Sequence, residues 1–164
     1  MKRRVLGALA VCALAVTGLA GCATWPLTTS ATCVDWVAFD TPADALDDAA
    51  HAVIGTVGEQ DGTAELYGYT VAAWTVHVDE WVKGSGDDSI RVLSTPETCS
   101  DGSPYPSGDP LATASGTQLI LLHDENGTWR TITPWQGIVP APDGAVPETW
   151  PPGTVGSPPA TPGK

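Results

Sequence analysis

The sequence has 164 residues and a formal net charge of −12, because 19 acidic side chains stand against 7 basic ones. Such a charge repels phosphate backbones and anionic lipid headgroups, which excludes nucleic acid as a partner and membrane binding through surface charge. The length allows one small hydrophobic core and excludes a second sizeable domain.

The N-terminal segment reads as a secretion signal that ends in a lipidation site. Three basic residues precede an apolar or small-residue run over residues 5–16, and the tripeptide LAG precedes Cys22. This order is typical of a secretory signal peptide. With Cys22 at its end, the segment resembles the lipobox of bacterial lipoproteins, in which the cysteine sulfur takes a diacylglycerol and the chain is cut before the cysteine.

The resemblance implies a lipid-anchored protein on the outer face of the cytoplasmic membrane. Residues 1–21 would be removed, and the remaining chain would have a net charge of −15, since the removed part holds three basic residues and no acidic one. Two or more acyl chains on Cys22 would hold the protein stably. The alternative is an uncleaved anchor helix, although the apolar run ends near Ala23, short of the ~20 residues that a membrane span needs.

Three regions follow the signal peptide. Residues 22–32 read as the lipid anchor and a tether without periodicity, and residues 33–148 as the one foldable domain. Residues 149–164 contain five prolines and three glycines. A segment of that composition cannot build a core, so we expect a disordered or polyproline-like tail.

The domain begins with a short helix. Thr41-Pro42-Ala43-Asp44 supplies an N-cap hydroxyl, a proline in the first turn and a carboxylate at the third helical position, which are the signals of a helix start. We expect this helix to end near Ala50.

The rest of the domain reads as strands and turns. Gly68 predicts a bend in the long second strand, and the change of alternation between Val76 and Trp81 predicts a bulge. Asn126-Gly127 predicts a tight hairpin turn, and Pro142-Asp143-Gly144 predicts the turn of a final hairpin over residues 137–147. The five predicted strands cover residues 51–57, 67–82, 89–94, 117–123 and 128–133, with a long loop over 99–116.

This order of elements predicts a mainly β fold. A five-stranded OB-like closed barrel with one short N-terminal helix would remove the strand edges that an exported acidic domain otherwise exposes. A two-sheet sandwich is the alternative.

The cysteine count predicts one disulfide. Cys12 would leave with the signal peptide and Cys22 would carry lipid, so Cys33 and Cys99 remain as a pair in an oxidising compartment. A bridge that closes so long a loop stabilises a domain by about 4 kcal/mol in the chain-entropy description. A metal site with two cysteines is the alternative, and it would need further ligands nearby.

The order of several segments resembles a known family. These segments are TC at 32–33, HAVIGTV, YTVAAWTVHVDEWVKGS, TC at 98–99, GTQLILLHDENGTW and PWQGIVPAPDGAV. Together they resemble small exported actinobacterial proteins with the OB-like barrel of the tissue inhibitors of metalloproteinases, also called the netrin-like fold. The resemblance covers nearly all of the predicted domain and implies that fold.

The same resemblance offers a protease-inhibitor-like module as an alternative function. In the animal inhibitors, the mature chain begins at a disulfide-bonded cysteine whose amine and carbonyl group chelate the protease zinc. Here Cys33 has eleven residues in front of it after cleavage, and the first residue, Cys22, would carry lipid. The zinc-chelating mechanism therefore does not transfer to this chain.

The motifs of common enzymes are missing from the sequence. It contains no G-x-S-x-G, H-E-x-x-H, Walker A or C-x-x-C motif. We expect His51 to form an exposed charge pair with Asp47, His77 to face solvent beside Asp79, and His123 to end a strand. The acidic pairs lack the spacing of a calcium loop. We therefore expect no catalytic residue, no metal site and no cofactor.

Aromatic residues give the best candidates for partner binding. Trp74, Trp81 and Trp129 lie within predicted strands, where we expect core or half-buried positions. Trp135 and Trp150 lie in proline-containing segments outside the strands, where flat amphipathic rings suit sugar stacking or protein contact. The alternative for Trp150 is that it folds back onto the end of the barrel.

The sequence thus favours a non-catalytic cell-envelope module. Tyr105, Trp135 and Trp150 are the candidate partner-binding residues, and the binding surface would be either a face of the barrel or the loop over 100–115. We expect a monomer that binds an envelope protein or a glycan and reaches the membrane through lipid on Cys22.

Overall fold

A computed structural model describes residues 35–97, 103–152 and 154. Cys22, Cys33 and Cys99, and therefore the predicted lipidation site and disulfide, lie outside the described residues, as do the predicted signal peptide and the tail beyond residue 154. Within the described ranges, no helix is long and apolar enough to cross a membrane.

The first helix, α1 (Pro42–Asp48), begins as the sequence predicts. Thr41 Oγ1 accepts from the Asp44 amide at 3.1 Å, and the Asp44 carboxylate accepts from the Thr41 amide at 3.1 Å, which closes a capping box. At the other end, Lys83 Nζ donates to two carbonyl groups of the last turn at 3.0 and 2.9 Å. The helix ends two residues before its predicted end.

All five predicted strands are present, with shifted ends, and a sixth follows them. A one-turn helix, α2, lies within the predicted loop between the third and fourth strands. The elements are β1 (His51–Leu66), β2 (Tyr69–Lys83), β3 (Ser89–Leu93), α2 (Pro110–Thr113), β4 (Gln118–Glu125), β5 (Thr128–Thr131) and β6 (Ile138–Pro140).

The hairpin of β1 and β2 is longer than the sequence predicts. Residues 58–66 are mostly exposed and lack apolar alternation, but they continue β1 because they pair with β2. Tyr67 and Gly68 form the turn, with φ angles of 53° and 81°, so the prediction of a bend inside a strand at Gly68 is wrong. The predicted bulge is confirmed, because the pairing with β1 passes over Asp79 and again over Val82.

The strands form a hydrogen-bonded ring. Their order is β1-β2-β3-β5-β4, and β4 pairs in turn with β1. β3 and β5 are parallel, whereas the other pairs are antiparallel. The protein is therefore mainly β with a ring-like sheet, and β6 adds to the first half of β4.

Both faces of β1 and β4 are buried at the point where they close the ring. Ala52 and Ile54 of β1 join a cluster that includes α1, whereas Val53 between them joins a second cluster on the other face. The residues of β4 alternate in the same way over 119–122. Three tryptophans of the strands are half-buried against the second cluster, as predicted: Trp74, Trp81 and Trp129.

The predicted final hairpin is wrong. Its first half forms β6 but pairs with β4, and residues 145–150 form no strand. A turn does form at the predicted place, where the Gly144 amide donates to the Ala141 carbonyl at 2.9 Å. Prolines at 140, 142 and 147 remove amide donors that a two-stranded ladder would need.

Replacing Gly55 with Ala is expected to destabilise the protein by about 3 kcal/mol. Gly55 lies in both strand pairs of β1, and a Cβ there would overlap the carbonyl oxygen of His77, which is fixed in the paired strand. Urea unfolding measures the free energy of unfolding. Gly58→Ala is the control, because its Cβ would first meet the exposed His77 side chain, at 3.1 Å. Equal stability of the two variants would contradict this account.

Candidate functional site

A cleft of about 390 Å³ opens beside the chain that connects β3 to β4. We call residues 94–117 the connecting segment. The cleft lies between this segment, the residues around β6 and the C-terminal residues of the described chain. Its lining includes Glu97, Ser107, Pro110, Trp135, Ile138 and Pro151.

Tyr105 fixes the connecting segment to the sheet. Its hydroxyl donates to the Ser94 carbonyl at 2.8 Å and accepts from the Ala72 amide at 3.1 Å. Burial raises the pKa of Tyr105 to about 12, because the charged phenolate would lose its hydration there. This predicted partner-binding residue is therefore placed as an anchor of the cleft wall rather than in the lining.

Asp109 provides a second anchor. Its Oδ1 accepts from the Leu111 amide at 2.9 Å, which caps α2, and from Ser94 Oγ at 2.5 Å. Its Oδ2 accepts from Trp74 Nε1 at 2.9 Å. The side of the cleft next to α2 is thus held to β2 and to the end of β3.

Glu97 brings a buried carboxylate to the cleft. Only 8% of the residue is exposed. Its two carboxylate oxygens accept from Ser107, one from the amide at 3.3 Å and one from the hydroxyl at 3.1 Å. The sequence does not single out this residue, because a lone glutamate in a polar stretch is usually solvated.

Trp135 lies in the same cleft and is half-buried. Of the three predicted partner-binding side chains, Trp135 lines the cleft, and the predicted binding loop over 100–115 contributes Ser107, Gly108, Pro110 and Thr113. Its aromatic ring offers a flat apolar surface with a negative face, and Glu97 adds a hydrogen-bond acceptor with negative charge. Together they suit a ligand that joins an apolar or planar part to a donor or a cation.

Trp150 folds back onto the domain. It packs against the cluster that includes α1, and its indole nitrogen donates to the Phe39 carbonyl at 2.9 Å. The Gln136 side chain bonds the Phe39 amide and carbonyl at 2.9 and 3.0 Å. Trp150 therefore fixes the chain just before Pro151, which lines the cleft.

The structure places two of the three histidines away from any shared site. His51 lies against Trp81 and Trp129, with ring centroids at 6.0 and 5.4 Å, and forms no ion pair with Asp47, so the expected charge pair is wrong. His77 is exposed, as predicted. Within the described ranges, no group of three or more histidine, cysteine or acidic residues is arranged to hold a metal ion.

His123 belongs to a polar network beside a second cavity, of about 280 Å³. Its Nε2 lies 3.2 Å from the Asp48 carboxylate, and its Nδ1 lies 3.4 Å from Arg130 Nη2. Arg130 is 8% exposed and its Nε donates to Glu125 at 3.3 Å. Because Asp48 ends α1, this network ties the helix to β4 and β5.

The same network supports the strained turn between β1 and β2. The Tyr67 hydroxyl donates to Glu125 at 3.0 Å, and the Arg130 guanidinium lies 5.5 Å from the Tyr67 ring and 5.7 Å from that of Trp36. Burial raises the pKa of Tyr67. These contacts offset the cost of a tyrosine with positive φ. We interpret this network as structural.

No protein family, curated protein or solved structure matches the chain in comparisons with known proteins.

The anchoring role of Tyr105 predicts how stability changes with pH. A tyrosine in the unfolded chain has a pKa of about 10, so the folded protein retains the Tyr105 proton to higher pH. The resulting stabilisation is complete below about pH 10 and is lost as the pH rises through about 12. We expect the free energy of unfolding, measured in urea at pH 8–12, to fall more steeply for the wild type than for Tyr105→Phe. Identical slopes of this free energy against pH for the two proteins would contradict the anchoring role of Tyr105.

At pH 8, the Tyr105→Phe variant should be less stable than the wild type by about 1–3 kcal/mol.

Proposed function

We propose that the chain is a non-catalytic binding module of the cell envelope, held to the outer face of the cytoplasmic membrane by lipid on Cys22. Its ligand, a protein or a glycan, would occupy the cleft beside Trp135. The observation that carries this proposal is the presence of Trp135 and the buried Glu97 in one cleft whose wall is anchored to the sheet.

The ring of strands supports the proposal that the fold is an OB-like barrel. A closed five-stranded sheet with a long excursion between its third and fourth strands is compatible with such a barrel. We further propose that Cys33 and Cys99 form the disulfide. Cys99 follows Glu97 by two residues, so the bridge would also hold the start of the connecting segment beside the cleft.

The chemistry of the cleft supports binding more than catalysis. Histidine is the most frequent general base in enzymes, but His51, His77 and His123 all lie outside this cleft. The Ser107 hydroxyl donates to Glu97, and the other groups that line the cleft are mainly prolines, Ile138 and Trp135. Such a surface can hold and orient a ligand.

The proposed anchor predicts the location of a Cys22→Ala variant. Without the sulfur, lipid cannot be attached, so the variant should move from the membrane fraction to the medium. Fractionation of cells and immunoblotting with an antibody against the domain measure this change. A variant that stays in the membrane fraction would contradict lipid anchoring and favour an uncleaved anchor helix.

Photo-crosslinking in the native envelope tests the binding function. A photoreactive phenylalanine derivative would replace Trp135 or the exposed Ala112 of α2, and Gln60 of the β1–β2 hairpin would serve as the control position. We expect a discrete protein or glycan adduct, identified by mass spectrometry, from the first two positions and none from Gln60. Only lipid or solvent adducts, or the same adducts from all three positions, would overturn the proposal.

A further inference from the structure

The carboxylate of Glu97 has no counter-charge within the described chain. Removal of a charged group from water is costly unless hydrogen bonds and an opposite charge replace the water. A carboxylate offers about four acceptor positions, but the described contacts of Glu97 are two bonds from Ser107, at 3.3 and 3.1 Å, which are long for such bonds.

The cations of the described chain are committed elsewhere. Lys83 binds the carbonyl groups that end α1, Arg91 pairs with Asp61 at 3.3 Å, and Arg130 pairs with Glu125 at 3.3 Å. These are the three lysine and arginine residues in the described ranges. A cation that neutralises Glu97 would therefore have to enter the cleft from outside these ranges.

The walls of the cleft favour a peptide as the source of that cation. Five prolines, Ile138 and Trp135 form most of these walls, and Ser107, Thr113 and Thr154 add hydroxyl groups beside Glu97. Apolar and aromatic walls suit the methylene stem of lysine or arginine and an extended peptide backbone, and a Trp face also attracts a cation.

We propose that the cleft binds an extended peptide segment with a lysine or arginine side chain, whose cation meets the Glu97 carboxylate and whose stem packs against Trp135. This inference rests on the proposed binding function and names its ligand class. The strongly negative net charge of the chain would speed the approach of such a ligand and make its binding sensitive to salt.

The test uses an array of random decapeptides, each synthesised in four versions. The central residue is lysine, arginine, acetyl-lysine or citrulline, so that charge changes while the stem is retained. We expect the fluorescently labelled protein to bind a subset of the lysine or arginine peptides. Its affinity for the matched uncharged versions should be lower by a factor of about thirty or more. Equal binding of charged and uncharged versions would overturn the proposal.

Glu97→Gln provides the matched protein variant. It retains an acceptor for Ser107 and loses the charge, so binding should fall by about the same factor while the unfolding temperature does not decrease. Glu59→Gln is the control, because it removes the same charge from an exposed position of β1 and should leave binding unchanged. Unchanged binding by Glu97→Gln would overturn the proposal.

The remaining outcomes separate this inference from the function on which it rests. Binding to an array of uncharged oligosaccharides that Trp135→Ala abolishes would support the binding function and overturn the proposal that the ligand is a peptide. If peptides bind only to the Lys164→Gln variant, the chain's own C-terminal lysine fills the cleft in the wild type. That result would also overturn the proposal that the ligand is a separate peptide. Failure to bind either array overturns the inference, while the crosslinking experiment decides the binding function independently.

Discussion

The pairing of β1 with β4 is the constraint on which the rest of the fold depends. Residues 52–55 of β1 pair with β2 on one edge and with β4 on the other, so they connect the two ends of the sheet. Their side chains alternate between two buried clusters, one of which receives α1 while the other receives Leu111 of α2. Without this pairing, both clusters would lose a wall. The absence of a side chain at Gly55 is what allows the backbones to approach so closely.

The cleft is a consequence of this strand order. Because β5 lies between β3 and β4 in the sheet, the chain cannot pass from β3 to β4 through a tight turn and must take a longer route. That route is the connecting segment, which Tyr105 and Asp109 hold against the strands it crosses. Glu97 lies near its start and is buried as the segment folds back over it, with Ser107 as its partner. The strand order thus leads to a buried carboxylate in a cleft whose walls are mostly prolines, Ile138 and Trp135.

The parts of the fold that the sequence predicts well are those with local causes. The capping box of α1 needs only Thr41 and Asp44, the turn after β4 needs only Asn126-Gly127, and both are present. Residues 58–66 read as a loop because their strand form comes from pairing with β2. Of the candidate site, Trp135 could be chosen from its sequence context. Glu97 could not, because its burial depends on a segment about ten residues further along the chain.

The outer part of the β1–β2 hairpin has a consequence for solubility. In the described chain, residues 57–66 of β1 pair with β2 alone, so no other strand covers their second edge. Side chains of Arg91 and Gln60 donate to the carbonyl groups of residues 61–63 in this stretch. Three carboxylates, at Glu59, Asp61 and Glu65, are exposed along this stretch, and two register shifts interrupt its regular pairing. Charge and irregularity both discourage edge-to-edge aggregation. The same polar composition that prevents the prediction of this strand from the sequence therefore discourages neighbouring copies of the protein from pairing along its edge.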